Sequence, residues 1–578
     1  MGCCTTTRAR GLMLLVVFVL VSLGSSTAWA ASKRKRTKKR VFQGRIQQMA
    51  VTANFRATRA ALQVLRRGGN AMDAAIAAAF TLAVVEPYSS GLGGGGFLLY
   101  YRAKRKKVVA LDFRERAPYK ATPTMFSRFG KKGRKLSRHG HLGTGTPGFV
   151  SGLEAAHKRY GTRPWASLLE PARWYAQKGF RVYGLLAYTL RVSRRVLRKY
   201  ASTRAVFFPK GKRLRRGQRL RQTDLAWTIR RLQRYGAKDF YRGEIAKRLV
   251  AEMKRGGGIM TLSDLKRYRP FWKKPVRGTY RDFSIASMGS PSSGGVHLVQ
   301  MLNILSSFPI ATTQPTTPLF LHWYTEAMRL AFADRAKFQG DAKFAKVPNK
   351  ALLSPRYAAV LRRKISNKKA MRYGSVKAGP ALDFNKKHTS HLSVIDRWGN
   401  AVAMTLTINR WFGCGVIAKG TGILLNDEMD DFTTFPGKPN AFGLIQSKAN
   451  IIQPGKTPLS AMSPTLVFKN GQLRGALGSA GGPTIITAVT QLLLHLIDHK
   501  LTARKAMNSP RIHHQWRPYR LYVERRRLRW KVRRALRKMG HRIRQRSRWG
   551  NAQLLWVDDK GRLTGASDRR AVGRAQGF

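Results

Sequence analysis

The chain has 578 residues, 43% of them apolar, and carries 111 Lys and Arg against 26 Asp and Glu, a formal charge of +85. That length is enough for a large core or more than one domain, and only three cysteines exclude a disulfide-stapled scaffold. The charge would suit nucleic acid or an anionic surface, but no RNA-binding, zinc-finger or helix-turn-helix signature accompanies it, which favours a basic coat with weak attraction for anionic polymers and no specific nucleic-acid site.

Arg8 and Arg10, the apolar run "GLMLLVVFVLVSLG" and the small-residue pattern Ala28-x-Ala30 predict a cleavable signal peptide over 1–30. The run is too short to span a bilayer, and no later stretch is apolar for long enough. An exported protein, periplasmic or secreted, is therefore expected. Residues 31–45, with "KRKRTKKR" at 33–40 and no apolar interleaving, predict a disordered basic arm. Next, "ATRAALQVLRRGGNAMDAAIAAAFTLAVVEP" predicts two helices about a Gly68-Gly69-Asn70 turn, the second capped by Asn70 and Asp73 and apolar enough to be buried. In "SSGLGGGGF", Gly91, Gly93 and Gly96 match G-x-G-x-x-G, but the order is helix, glycines, strand, so no dinucleotide site follows.

"KKVVALDFRERAP" predicts a strand ending at Arg114, and residues 120–350 read as mostly helical, including "TLSDLKRY" capped by Thr261 and Asp264. From 389 the pattern turns to strands. "TSHLSVID" and "NAVAMTLTIN" flank a tight turn, and Asn470-Gly471 marks a hairpin, as does "AQLLWVDDKGRLTGAS". "LRWKVRRALRKMG" is an amphipathic helix with a basic face and Gly540 as its stop. Helix-rich and strand-rich parts suggest helices layered on antiparallel sheets. Without its leader the chain keeps one cysteine, Cys414 in "FGCG", read as a small buried residue rather than a nucleophile.

"NDEMDDF" gathers Asp427, Glu428, Asp430 and Asp431 within five positions of a basic chain. Carboxylates so close need a cation, a network of donors or a metal. A calcium loop is excluded because the D-x-D-x-D-G spacing and its distal Glu are missing. No metal and no cofactor is expected.

The stretch "KKHTSHLSVIDRWGNAVAMTLTINRWFG", Lys386 to Gly413, resembles the signature of the gamma-glutamyltransferases (glutathione hydrolases): T-[STA]-H-x-[ST], G-[SN]-x-V, T-x-T-[LIVM]-N and [FY]-G. Blocks such as "LDFRERAP", "PSSGGVHLVQMLNIL", "EAMRLAFADRA", "PLSAMSPT" and "GASDRRAVG" extend the resemblance over nearly the whole chain beyond the leader. It implies an α+β fold, the four-layer αββα sandwich of the N-terminal nucleophile hydrolases. It also implies self-cleavage between His388 and Thr389 into a large subunit (46–388, behind the arm) and a small catalytic one (389–578), which pair as a heterodimer. Thr389 would then be the nucleophile, because a free α-amine can take the proton of its own hydroxyl.

By the same resemblance Thr407 orients Thr389, and the backbone N–H groups of Gly481 and Gly482 form the oxyanion hole. Asn409, Glu428 and Asp431 would receive the α-ammonium of a γ-glutamyl donor such as glutathione, while Arg114 and Ser460 hold its α-carboxylate. Asp427 and Asp430 are left as scaffold. Two positions depart from the family. Ala461 stands where a second serine is usual, removing one hydroxyl donor. In the lid-like stretch "FPGKPNAFGLIQS", Phe442 stands where lid-bearing bacterial members often carry Tyr. The rival readings are a glutaryl acylase or a poly-γ-glutamate depolymerase of the same fold, and a polyanion-binding surface protein on a vestigial enzyme fold.

Overall fold

A computed structural model describes residues 47–376, 389–547 and 549–578. The predicted leader, the basic arm and His388 lie outside the described residues. Two antiparallel sheets carry the site. In chain order their strands are β1 (Met49–Thr52), β2 (Gly95–Arg102), β3 (Lys107–Asp112), β4 (Phe271–Lys273), β5 (Val276–Tyr280), β6 (Phe283–Ser287), β7 (Ser390–Ile395), β8 (Ala401–Thr407), β9 (Thr465–Lys469), β10 (Gln472–Ala480), β11 (Asn551–Val557), β12 (Leu563–Ser567) and β13 (Arg574–Gly577). One sheet runs β13-β1-β7-β8-β2-β3-β4 and the other β12-β11-β10-β9-β6-β5.

Period-two alternation explains how one strand serves two cores. Leu98 and Tyr100 of β2, with Val402, Met404 and Leu406 of β8, pack under the helices α1 (Phe55–Arg66) and α2 (Ala71–Val85). Phe97, Leu99 and Tyr101, with Ala401 and Ala403, face the second sheet instead. Beyond that sheet lie α3 (Gly294–Leu305), α4 (Pro318–Phe338) and α5 (Thr484–Ile497). The layers are thus helix, sheet, sheet, helix, with the central strands β7 and β8 buried on both faces.

Helix α2 is buried at every position and starts with the predicted capping box. The Met72 and Asp73 N–H groups donate to Asn70 Oδ1, and the Asn70 N–H donates to Asp73 Oδ2. A second box joins Thr261 and Asp264, as expected. At the β9–β10 hairpin Asn470 (φ +50°) and Gly471 (φ +73°) adopt the left-handed pair that the sequence signals.

Three expectations need correction. The strand before Arg114 stops at Asp112. The largely helical stretch to 350 contains β4, β5 and β6, short segments that bury side chains unevenly and offer no long apolar run to detect. The strand-rich part after 389 also takes in earlier chain that no pattern signalled, for β1 lies between β7 and β13, pairing with both. Each sheet is therefore built from chain on both sides of Thr389. Among the described residues no helix is long and apolar enough to cross a membrane.

Candidate active site

Register brings the two threonines together. Ser390 pairs with Leu406, so Thr389 and Thr407 stand one step further along, at the same end of the first sheet, and both line one cavity. The strand behind Thr389 is pinned at each of its next positions. Ser390 Oγ donates to Glu86 Oε2 at 2.6 Å, and the Tyr88 hydroxyl donates to Glu86 Oε1. Burial pushes the Glu86 carboxyl up to about 7. His391 lies between the sheets with Nδ1 2.9 Å from Thr405 Oγ1 and Nε2 3.1 Å from Ser393 Oγ. Burial lowers its pKa to about 3, so it packs as a neutral ring. Gly478 of β10 gives that ring its space, since a Cβ there would lie 2.3 Å from His391 Cε1.

The second sheet supplies the glycines. Between β10 and α5 the chain turns through Gly481 (φ +133°) and Gly482 (φ +56°), and the Thr484 hydroxyl donates to the Gly481 carbonyl at 2.7 Å. An L side chain at 481 would bring Cβ to 2.4 Å from Thr484 Oγ1. Gly482 lines the cavity with Thr389, and Gly481 is one residue behind it. The positive end of a 14-residue helix therefore points toward the threonine end of the first sheet.

The acidic knot meets Arg114. This buried guanidinium donates from Nη1 to Glu428 Oε1 at 2.6 Å, from Nη2 to Asp431 Oδ2 at 2.7 Å and from Nε to the Pro458 carbonyl at 3.1 Å. Burial pushes the carboxyls of Glu428 and Asp431 well above their usual range, against the pull of Arg114. Glu115 has neither carboxyl oxygen hydrogen-bonded, lies 3.8 Å from Arg114 Nη1 and is pushed up to about 7 by burial. Asp430 is scaffold: it accepts from Ser137 Oγ, Arg138 Nε and the Ala441 N–H. Asp427 likewise accepts from the Arg410 N–H.

Asn409 (φ +72°) donates its N–H to Thr407 Oγ1 at 2.8 Å and its side-chain amide to the Asp427 carbonyl. It thereby links the threonine pair to the acidic knot. Ser460 Oγ accepts from the Met462 N–H, and Ala461 beside it also lines the cavity. Phe442 is buried and lines the cavity, its carbonyl and that of Gly443 accepting from Gln515 Nε2. The cavity leaves only about 30 Å³ of space.

Cys414 is fully buried, with its thiol pushed up to about 12. Among the charged lining residues, sequence reasoning passed over one, Arg335 of α4. Its only signal was a charge within a run of helix that the fold buries. Among the described residues no cluster of His, Cys, Asp and Glu is placed to hold a metal.

The family model described as Gamma-glutamyltranspeptidase matches residues 57–578. The chain belongs to this family. It is 40% identical over 528 residues to the glutathione hydrolase proenzyme of Escherichia coli K12, covering 91% of each chain. It is 42% identical over 478 residues to that of Pseudomonas sp. A14, covering 82% of this chain and 83% of the relative. A cephalosporin acylase crystal structure from Bacillus halodurans superposes with a TM-score of 0.82 at 29% identity, covering 92% of this chain and 96% of that one. The Helicobacter pylori gamma-glutamyltranspeptidase structure gives 0.54 at 41% identity, covering 56% and 93%. The four-layer sandwich is the N-terminal nucleophile hydrolase fold, as the gamma-glutamyltranspeptidase signature implied.

Proposed function

We propose that this chain is an exported, self-cleaving γ-glutamyltransferase and glutathione hydrolase. The observation that carries the reading is a single cavity holding Thr389, Thr407, the Gly482 turn and the Arg114–Glu428–Asp431 ion cluster. Maturation begins with Thr389 Oγ attacking the carbonyl of His388. The peptide bond becomes an ester, water opens it, and Thr389 is left with a free α-amine. That amine has an ordinary pKa of about 7.7–8.0, suited to taking the hydroxyl proton near neutral pH. The large subunit to 388 and the small one from 389 stay together as a heterodimer, which suits sheets woven from both.

In turnover Thr389 Oγ attacks the γ-carbonyl of glutathione or a related amide. Thr407 orients the hydroxyl, while the N–H groups of Gly481 and Gly482 stabilise the tetrahedral oxyanion. The amine returns its proton to the leaving group, and water or an amino acid then attacks the γ-glutamyl ester. The donor's ammonium meets Asn409, Glu428 and Asp431, and its carboxylate meets Arg114 and Ser460. Each substrate charge would thus take over one half of an ion pair the protein already makes. The relatives named as glutathione hydrolases, and acids positioned for an ammonium, favour this reading over the glutaryl acylase, the depolymerase and the polyanion-binding protein. The basic coat adds no more than weak, salt-sensitive adhesion to anionic polymers.

The test sets wild type beside Thr389→Ala on a denaturing gel and in a γ-glutamyl-p-nitroanilide assay. Two fragments with aniline release from wild type alone, and a small fragment beginning at Thr389, are expected. An uncut, inactive wild type would refute the proposal.

A further inference from the structure

Arg335 is an oddity that the reaction scheme leaves unexplained. It is 2% exposed, in the last turn of the largely buried helix α4, and still lines the cavity beside Thr389, Ser460 and Ala461. Its Nε donates to Ser293 Oγ at 2.8 Å, and that hydroxyl donates in turn to the Ser460 carbonyl at 2.7 Å. The guanidinium is therefore braced against the segment that carries Ser460 and Ala461. Its Nη1 is buried and has no acceptor. Among the described residues no carboxylate forms an ion pair with it: Asp431, the acid whose charge it feels, bonds Arg114 through Oδ2 and Asn440 through Oδ1. Burial lowers the Arg335 pKa to about 10, which leaves it cationic at neutral pH.

A buried cation with an unused donor is costly unless an anion comes to it. Arg114 is already committed at all three of its nitrogens. We infer that Arg335 is a specificity-determining residue, a second guanidinium that receives the donor's α-carboxylate and supplies the contact that Ala461, lacking a hydroxyl, cannot make. It rests on a γ-glutamyl donor being the substrate. The carboxylate would then sit between Arg335 Nη1 and the Ser460–Ala461 segment, and Arg114 could keep part of its hold on the acids that receive the ammonium.

The experiment compares two anilides on the self-cleaved enzyme: γ-glutamyl-p-nitroanilide, and 4-aminobutanoyl-p-nitroanilide, which keeps the amine but has no α-carboxylate. For Arg335→Gln, KM for the γ-glutamyl donor rises about 30-fold or more with kcat within about threefold, the size expected when one partner of a buried charge pair is truncated. The kcat/KM for the aminobutanoyl donor changes less than about threefold. Adding Ala461→Ser to that variant recovers about fivefold in KM for the γ-glutamyl donor only, the worth of one hydrogen bond. If Arg335→Gln does not cut itself, Arg335→Lys replaces it, with a smaller KM rise confined to the same donor. Equal losses on both donors, or none on either, overturn the inference while leaving wild-type γ-glutamyl turnover intact. Wild type that cuts itself but releases no aniline from the γ-glutamyl donor overturns the substrate reading, and this inference with it.

Discussion

Arg114→Met in the uncut Thr389→Ala background isolates what Arg114 does for the fold, since unfolding then involves one continuous chain. The substitution strips two short ion pairs, 2.6 and 2.7 Å, from carboxyls that are almost fully buried. Removing one partner of a buried pair costs about 3–5 kcal/mol, most of it from the charge left behind. For roughly 520 folded residues at about 2.1 cal/mol/K each, the unfolding entropy is about 1.1 kcal/mol/K, so the loss corresponds to about 3–5 °C in Tm. The sign with pH follows from linkage. Glu428 and Asp431 have folded pKa values raised above their unfolded ones, so the folded state holds protons that the unfolded state has lost. Such groups cost stability as pH rises from the ordinary carboxylate range towards their folded values. Without Arg114 both folded values climb further, which widens that window upward. The Tm difference between parent and variant is therefore small at pH 5 and largest near pH 8. Scanning calorimetry of both proteins at the two pH values checks it. A loss equal at both, or greater at pH 5, would refute the electrostatic account of the knot.

Gly478→Ala drives a methyl into His391, whose ring is fixed by two hydrogen bonds; overpacking and their loss cost about 2–5 kcal/mol. Because His391 is two residues from Thr389, the cut fraction on a gel falls along with Tm, and a fully cut variant with unchanged Tm would contradict the packing argument. Gly481→Ala forces an L side chain to φ +133° and onto Thr484 Oγ1, disturbing the donor turn, so kcat for the γ-glutamyl anilide drops about 10²–10³-fold. A kcat within threefold of wild type would remove this turn from the oxyanion role. With its thiol pushed up to about 12, Cys414 holds almost no thiolate at pH 8. Iodoacetamide should label it only after denaturation, as intact mass will tell, and rapid native labelling with loss of activity would contradict its burial.

What could be read in advance was local or periodic. The Asn70–Asp73 and Thr261–Asp264 boxes, the Asn470-Gly471 turn and the strands around "RWGN" depend on neighbours within a few residues, and each formed as expected. Even the knot was legible, because four acids in five positions are improbable on a chain this basic. What escaped detection depends on distant chain. The fit of His391 against Gly478 joins different sheets, and nothing in "TSHLS" or "RGALGSA" reports it. Arg335 looked like one more arginine among many until α4 was seen to bury it against Ser293. Strands β5 and β6 were missed because they are short and lie between helices.

The extreme charge has a structural counterpart: most of the chain's 26 acidic residues are buried, while the Lys and Arg excess covers the outside. Buried acids outside the cavity have structural work. Asp73 closes a helix cap, Glu326 binds Arg329 at 2.8 Å, and Asp568 binds Arg511 at 2.6 Å and Arg570 at 2.9 Å. The two electrostatic regimes therefore separate. Exposed charges are screened over about 8 Å at physiological salt, so the coat acts only at short range and weakens as salt rises. The Arg114–Glu428–Asp431 cluster is buried, and its short pairings are screened far less by salt than the charges of the coat. A site that recognises a zwitterion needs both signs held at fixed separation. On the proposed reading this chain provides that with carboxylates and Arg114 buried together, which assigns substrate selection to the acidic stretch and not to the basic surface.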